Sequence, residues 1–188
     1  MSGSESELIE RAKADSAAFG ELYRMHVDRI YSYVLHRVGN AADAEDLTAR
    51  TFYRALTGMP TYEDRGAPFS AWLYRIAHNL VANWHRDRAR HASVPLDAGL
   101  EDDGSGDALA GRAMAAESIA AAIRQLEPDR QALLALKSQG LSNAEIADVL
   151  GRSEGAVKSL YFRTLAGLRD ALEPEGVPNG RERTVPEE

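Results

Sequence analysis

Between Phe69 and His91 the chain carries Tyr74, Arg75, His78, Asn79, Asn83, Trp84, His85, Arg86, Arg88 and Arg90 on the side of a helix opposite its apolar stripe. Aromatics interleaved with arginine and asparagine are what binding an unstacked nucleic-acid strand requires: rings stack on bases and guanidinium groups hold phosphates. That chemistry is recognition, not bond-making. Trp84, beside the arginine run, reads as a base platform, whereas Phe69 and Trp72 read as core. A metal reading of the histidines fails on spacing. His78, His85 and His91 stand seven and six residues apart, about two helical turns each, too far to share one ion. With no cysteine in the chain, disulfides, zinc-thiolate sites and cysteine nucleophiles are excluded. Neither a nucleophile elbow nor a phosphate-cradling glycine loop occurs, so the sequence reads as a non-enzyme without metal or cofactor.

A second set of side chains lies from Leu141 to Leu172. Ser142 and Glu145 form a capping box that starts a short helix with an apolar face of Ile146, Ala147, Val149 and Leu150. Gly151 supplies a turn with positive φ, and Ser153 caps a second helix packed through Ala156, Val157, Leu160, Leu165 and Leu168. A small residue at Ala147, glycine in the turn and branched Val157 are the spacing of a helix-turn-helix. Its second helix would present Arg152, Glu154, Lys158, Ser159, Phe162 and Arg163 to the major groove.

The elements that must hold these two faces are helical throughout. Leu8, Ile9 and Ala12 give a short helix over Ser4 to Lys13, and a long one follows from Asp15 with Phe19, Leu22, Tyr23, Val27, Ile30, Tyr31, Val34, Leu35 and Val38 inward, ended by Gly39. Asn40 caps the next, which buries Ala44, Leu47, Thr51, Phe52 and Leu56 and places Asp43, Glu45 and Asp46 in its first turns, where the helix dipole favours negative charge. Pro68 opens the helix that bears the first set. Residues 92–111 are rich in Gly, Ser and Asp without periodicity and read as a linker, after which helix resumes near Arg112 or Met114. Pro128 starts the scaffold helix before the helix-turn-helix, and the chain after Leu172 reads as a disordered tail.

Charge supports this division. The net charge of -7 argues against nucleic acid only as an average. Residues 65–91 hold five arginines against the single acid Asp87, while 97–107 hold five acids and no base. No run approaches the roughly 18 apolar residues of a membrane span, and the start is polar and acidic, unlike a signal peptide, so a cytoplasmic protein without membrane insertion is expected.

Three segments together resemble a family: DAEDLTARTFYRAL at 43–56, FSAWLYRIAHNLVANWHR at 69–86 and LSNAEIADVLGRSEGAVKSLYFRTLAGLR at 141–169. They look like bacterial RNA polymerase sigma factors of the extracytoplasmic-function (ECF) type, in which regions two and four are joined by a linker. The resemblance implies an all-α chain with region two over 1–91, an acidic flexible linker over 92–113, region four over 114–172 and a tail over 173–188. It implies that Asp43, Glu45, Asp46, Thr48 and Thr51 meet the β′ clamp helices of core polymerase. Arg75, Asn79, Asn83, Trp84 and Arg86 would open and hold the minus-10 element of promoter DNA, and Arg152, Ser153, Glu154, Lys158, Ser159 and Arg163 would read the minus-35 element as duplex. Further partners implied are the β flap and an anti-sigma factor, with nucleoid association through polymerase. The acidic linker would thread toward the polymerase cleft.

The chain departs from the family pattern at three places. Ala49-Arg50 stands for the usual Gln-Glu, Asn83 for a common aspartate and Leu160 for a frequent arginine. Region four carries seven acids and seven bases between Glu117 and Asp170, which predicts weak DNA affinity for the isolated protein. Other functions compatible with the residues are a stand-alone helix-turn-helix regulator, which would bind duplex tightly without polymerase, and a helical adaptor without promoter activity.

Overall fold

Asp15 starts the first long helix by accepting a hydrogen bond from the Ala17 amide at 2.9 Å, and Gly39 ends it at φ 78°, donating to the Leu35 carbonyl. The computed structural model describes residues 3–64, 66–91 and 107–172, and among these every regular element is helical. The remainder of the sequence-read linker, the tail and Arg65 lie outside the described residues.

The N-terminal module comprises α1 (Gly3–Ala12), α2 (Ser16–Val38), α3 (Ala41–Gly58), a short 3-10 turn over Met59–Thr61, and α4 (Phe69–His91). Asn40 caps α3 through the Asp43 amide at 2.9 Å, as its type predicts. Leu8, Ile9, Leu22, Ile30, Val34, Leu47, Phe52, Phe69, Leu73 and Leu80 form the core. Each such side chain removed from water contributes about 1.5–3 kcal/mol. Aromatic edges complete it: Tyr62 meets Phe69 at 5.5 Å and Trp72 at 4.8 Å, and Tyr33 meets Tyr74 at 5.4 Å.

The C-terminal module comprises α5 (Asp107–Arg124), α6 (Pro128–Ser138), α7 (Asn143–Leu150) and α8 (Glu154–Leu172). Helix α5 begins earlier than the expected Arg112 or Met114, because Asp107 to Gly111 continue its backbone path despite their polar and glycine content. Both halves of the predicted capping box are present at Ser142 and Glu145. Gly151 adopts φ 64° and closes α7 on the Ala147 carbonyl, a conformation in which a side chain is strained. Ala147, Val157 and Leu160 are buried around that turn.

Several side chains read as inward are not. Leu56 is 40% exposed, Leu165 42% and Tyr23 41%, the last lying at the edge of the core with its ring against Phe52 of α3. Thr51, as read, and Thr164 are fully buried, their hydroxyls donating to the Leu47 and Leu160 carbonyls at 2.7 and 2.8 Å. A threonine that bonds back to the preceding turn has no unsatisfied donor to carry into the core.

The two modules pack on each other, α4 against α7 and α2 against α6, and their buried side chains form one continuous cluster. Among the described residues no helix is long and apolar enough to cross a membrane. The capping box gives the first expected outcome. Ser142→Ala should cost about 1 kcal/mol of stability, read as a lowered urea midpoint with unchanged slope; an unchanged midpoint would show that Glu145 alone starts α7.

Candidate nucleic-acid interface

Helix α4 divides its circumference. Phe69, Leu73, Ala77, Leu80 and Val81 enter the N-terminal core, while Arg75, Asn79 and Arg86 are exposed and Asn83 and Trp84 are half-buried. The expected strand-binding residues therefore share one side of one rigid helix. Trp84 rests its inner face on the core, and the Arg88 guanidinium lies 5.2 Å from its ring centroid, a cation–π contact that fixes the indole beside the cations. Asn83 accepts from Arg86 one turn on. Tyr74, read from sequence as outward, is a correction: it is 1% exposed, wedged against Tyr33, and donates to Gln139 of α6's C-terminal cap at 3.4 Å. The side of α4 that it occupies is covered by the second module.

On α3, Glu45 and Asp46 are exposed and Asp43 is half-buried, giving an acidic edge at the start of the helix. Thr48 and Thr51, expected to join them as partner contacts, are 5% and 0% exposed. Their positions on the inward stripe place them beneath that edge, and Thr51 spends its hydroxyl on its own helix. Arg50 was missed as a site residue. It pairs with Asp46 at 3.3 Å and lines an open groove with Asn83, Arg86 and Arg90. Its departure from the family's usual acid was the only sequence signal. Arg88 was passed over similarly, and besides covering Trp84 it approaches Asp43 to 4.0 Å.

In the second module Arg152, Ser153, Glu154, Lys158, Ser159 and Arg163 are all exposed, along one flank at the start and middle of α8. Ser153 caps the helix, accepting from the Ala156 amide at 3.2 Å. Lys158 pairs with Glu154 at 2.8 Å, Arg152 pairs with Asp129 of α6, and Arg163 donates to the Ser159 carbonyl. Exposed pairs of this kind are worth no more than about 1 kcal/mol, so a phosphate can displace the acid. Phe162, 74% exposed, adds an apolar surface to the same helix. Leu160 faces the core at 9% exposure, so the arginine it replaces is exchanged here for packing.

The sigma-70 region 2 family matches residues 22–91, and the sigma-70 region 4 family matches 116–168. The ECF RNA polymerase sigma factor SigL of Mycobacterium tuberculosis is 32% identical over 169 residues, covering 88% of this chain and 95% of SigL. The chain belongs to the ECF sigma factor family. Another ECF sigma factor, BldN of Streptomyces coelicolor, is 40% identical over 172 residues; the match takes in 88% of this chain, which spans 65% of the length of BldN. The fold is shared with RpoE of Bartonella quintana, solved in complex with the anti-sigma factor NepR, at a TM-score of 0.66 and 20% identity over 84% of this chain and 98% of that one. Within this ECF sigma factor the α4 face falls in region 2 and the α8 face in region 4.

Histidines of α4 mark where the two regions meet. His78 bonds to the Tyr33 hydroxyl at 3.1 Å, and burial, then the nearby Arg37 cation, holds it below the ordinary histidine value of 6.5. His85 is lowered for the same two reasons in the same order. His26, buried beside Glu5 of α1, is lowered chiefly by burial. Histidines so depressed protonate first in the unfolded chain. Stability should therefore be complete above about pH 6.5 and fall progressively as pH drops below it. Urea midpoints measured between pH 8 and pH 5.5 should decline over that window, and His78→Gln should flatten the decline; a midpoint rising on acidification would contradict these environments.

Proposed function

We propose that this chain binds core RNA polymerase and directs it to promoters through two separate DNA contacts. The observation that carries the reading is the joint presence, in order, of region 2 and region 4 matches, each bearing an exposed basic face on one helix. Acidic Asp43, Glu45 and Asp46 dock on the polymerase clamp helices. Arg75, Asn79, Asn83, Trp84 and Arg86 hold the minus-10 strand once its bases leave the stack. Unstacking costs a few kcal/mol per step, which stacking on Trp84 and phosphate contacts offset. Helix α8 enters the major groove at the minus-35 element with Lys158, Ser159 and Arg163, while region 4 as a whole also meets the β flap.

Bond formation belongs to the polymerase, so this chain is not an enzyme, and it works in the cytoplasm where promoter DNA and polymerase are found. An anti-sigma factor controls it; the complex of RpoE with NepR supports this by analogy of fold. The modules divide at the segment between α4 and α5, the N-terminal one for polymerase and minus-10 binding and the C-terminal one for minus-35 binding.

Run-off transcription with purified core enzyme on a promoter library tests the whole reading, and failure to initiate at any defined start site would overturn it. Two substitutions test its parts. Arg163→Ala should lower minus-35-dependent output and reduce the salt slope of promoter binding by about 1; equal output would detach α8 from the minus-35 element. Asp46→Ala should weaken core binding in a pull-down while promoter preference is unchanged, and equal recovery of polymerase would remove Asp46 from the docking edge.

A further inference from the structure

Arg50 and Arg90 have no part in the function proposed above. Both nevertheless line one open groove, of about 660 Å³, between α3 and the second half of α4, together with Asn83, Arg86, Asp87 and Ala89. Three guanidinium groups against one carboxylate give this groove a positive charge on a chain whose net charge is -7. Every lining residue belongs to the N-terminal module, so the groove stands open to solvent with both modules in place.

Its cations are loosely held. Arg50 pairs with Asp46 at 3.3 Å while the two side chains stay 54% and 64% exposed. Arg90 pairs with Asp87, and Arg86 donates to the Asn83 side chain. Exposed pairs of this kind gain little over water, whereas a phosphate accepts from a guanidinium in a stronger and often bidentate contact. The spacing selects the kind of anion. Arg86 and Arg90 are one turn apart, about 6 Å along the axis of α4, and Arg50 enters the same groove from α3. A lone carboxylate on a protein partner would need only one such group. A row of them along a groove suits a polymer that repeats its charge at short intervals, as a nucleic-acid backbone does. Asn83 supplies the link to base binding: it lines the groove and directly precedes Trp84. A strand with a base on the indole has only to pass one residue round the helix to lay its backbone between the arginines.

We propose that Arg50, Arg86 and Arg90 form a seat for the phosphodiester backbone of nucleic acid, which carries the strand-binding face of α4 across onto α3. Arg50 and Arg90 are thereby DNA contacts beyond the five residues of the minus-10 set. The seat rests on the reading that α4 holds an unstacked strand. It adds affinity to that face without adding base preference, because contacts to phosphate carry no sequence information of their own.

The test uses the full chain, with Arg50→Gln, the double variant Arg50→Gln/Arg90→Gln and the charge-keeping Arg50→Lys. The probes are a fluorescein-labelled random-sequence single-stranded 12-mer and a random 30-base-pair duplex, with affinity followed by anisotropy from 25 to about 200 mM KCl, the range over which phosphate contacts are lost. The substituted residues are exposed, and circular dichroism establishes that each variant is folded. On the single strand the slope of log affinity against log salt should shrink by about 0.7 for Arg50→Gln and by about 1.4 for the double variant; Arg50→Lys should keep most of it. A reduced slope on the single strand puts an unstacked strand in the seat, and one confined to the duplex puts paired backbone there. Arg124→Gln, which removes an exposed cation of α5, should leave the single-strand slope alone. Unchanged slopes on both probes would overturn the seat, as would an equal change from Arg124→Gln. Unchanged slopes joined to poorer recovery of core polymerase would give the groove to an acidic protein surface instead. Run-off transcription keeps the two proposals apart: a natural chain that initiates nowhere, with the slopes altered as expected, would sink the functional reading and leave the seat standing.

Discussion

One helix, α4, is asked to do three things with one surface, and the rest of the molecule follows from how it is shared. An α-helix presents roughly three and a half side chains per turn. On α4 one stripe closes the N-terminal core through Leu73, Ala77 and Leu80, the next meets the second module through Tyr74 and His78, and the last carries Asn79, Asn83 and Arg86 into solvent. No residue type can be changed along α4 without touching at least one of these. Arg75 lies at the border of the second and third stripes, where its guanidinium meets Asp148 of α7.

The charges explain how a chain of net charge -7 can present faces for a polyanion. Several of its cations are already paired with acids: Arg50 with Asp46, Arg90 with Asp87, Arg152 with Asp129 and Lys158 with Glu154. Each pair is solvent-exposed and cheap to exchange for a phosphate, which offers a stronger charge-assisted contact. The free molecule therefore projects little long-range attraction toward duplex DNA, and its basic groups become effective only when DNA is brought close. Non-specific attraction to a polyanion is kept low by such pairing.

Much of this was legible in the sequence wherever local chemistry decides. The capping box at Ser142 and Glu145, the left-handed glycines Gly39 and Gly151 and the proline at the start of α6 all act within one or two turns, and each stands as its residue type dictates. The outward positions of Arg152, Lys158 and Arg163 followed from the same periodicity. What the sequence could not reveal were the partners across modules. Tyr74 and Arg37 are amphipathic residues that periodicity assigns to a surface, and their contacts with Gln139 and Pro128 of the other module, distant in sequence, bury them. The reverse error, with Leu56 and Leu165 read inward, has the same root: an apolar stripe predicts a partner without guaranteeing one. Thr48 and Thr51 entered the partner set through the family resemblance, although the register of Thr51 already placed it inward, and both are buried.

The seam between the modules is unusual for a core in being partly polar, and this sets how it behaves. Arg37 is pulled below the usual guanidinium range by burial, with Tyr33 and Asp129 working in the opposite direction, and its Nε has no hydrogen-bond partner. A buried cation with one good acceptor contributes little to stability, since its lost hydration nearly cancels what the contact supplies. The Arg37 guanidinium, the Tyr74 hydroxyl and Gln139 give this seam polar contacts between the two modules. Ile146, Val149 and Leu141 are buried beside it, and Val149 lines a cleft against Arg75 and Asn79 of α4. Apolar packing and polar contacts thus share the seam, and the cluster of buried residues runs through both modules without a break.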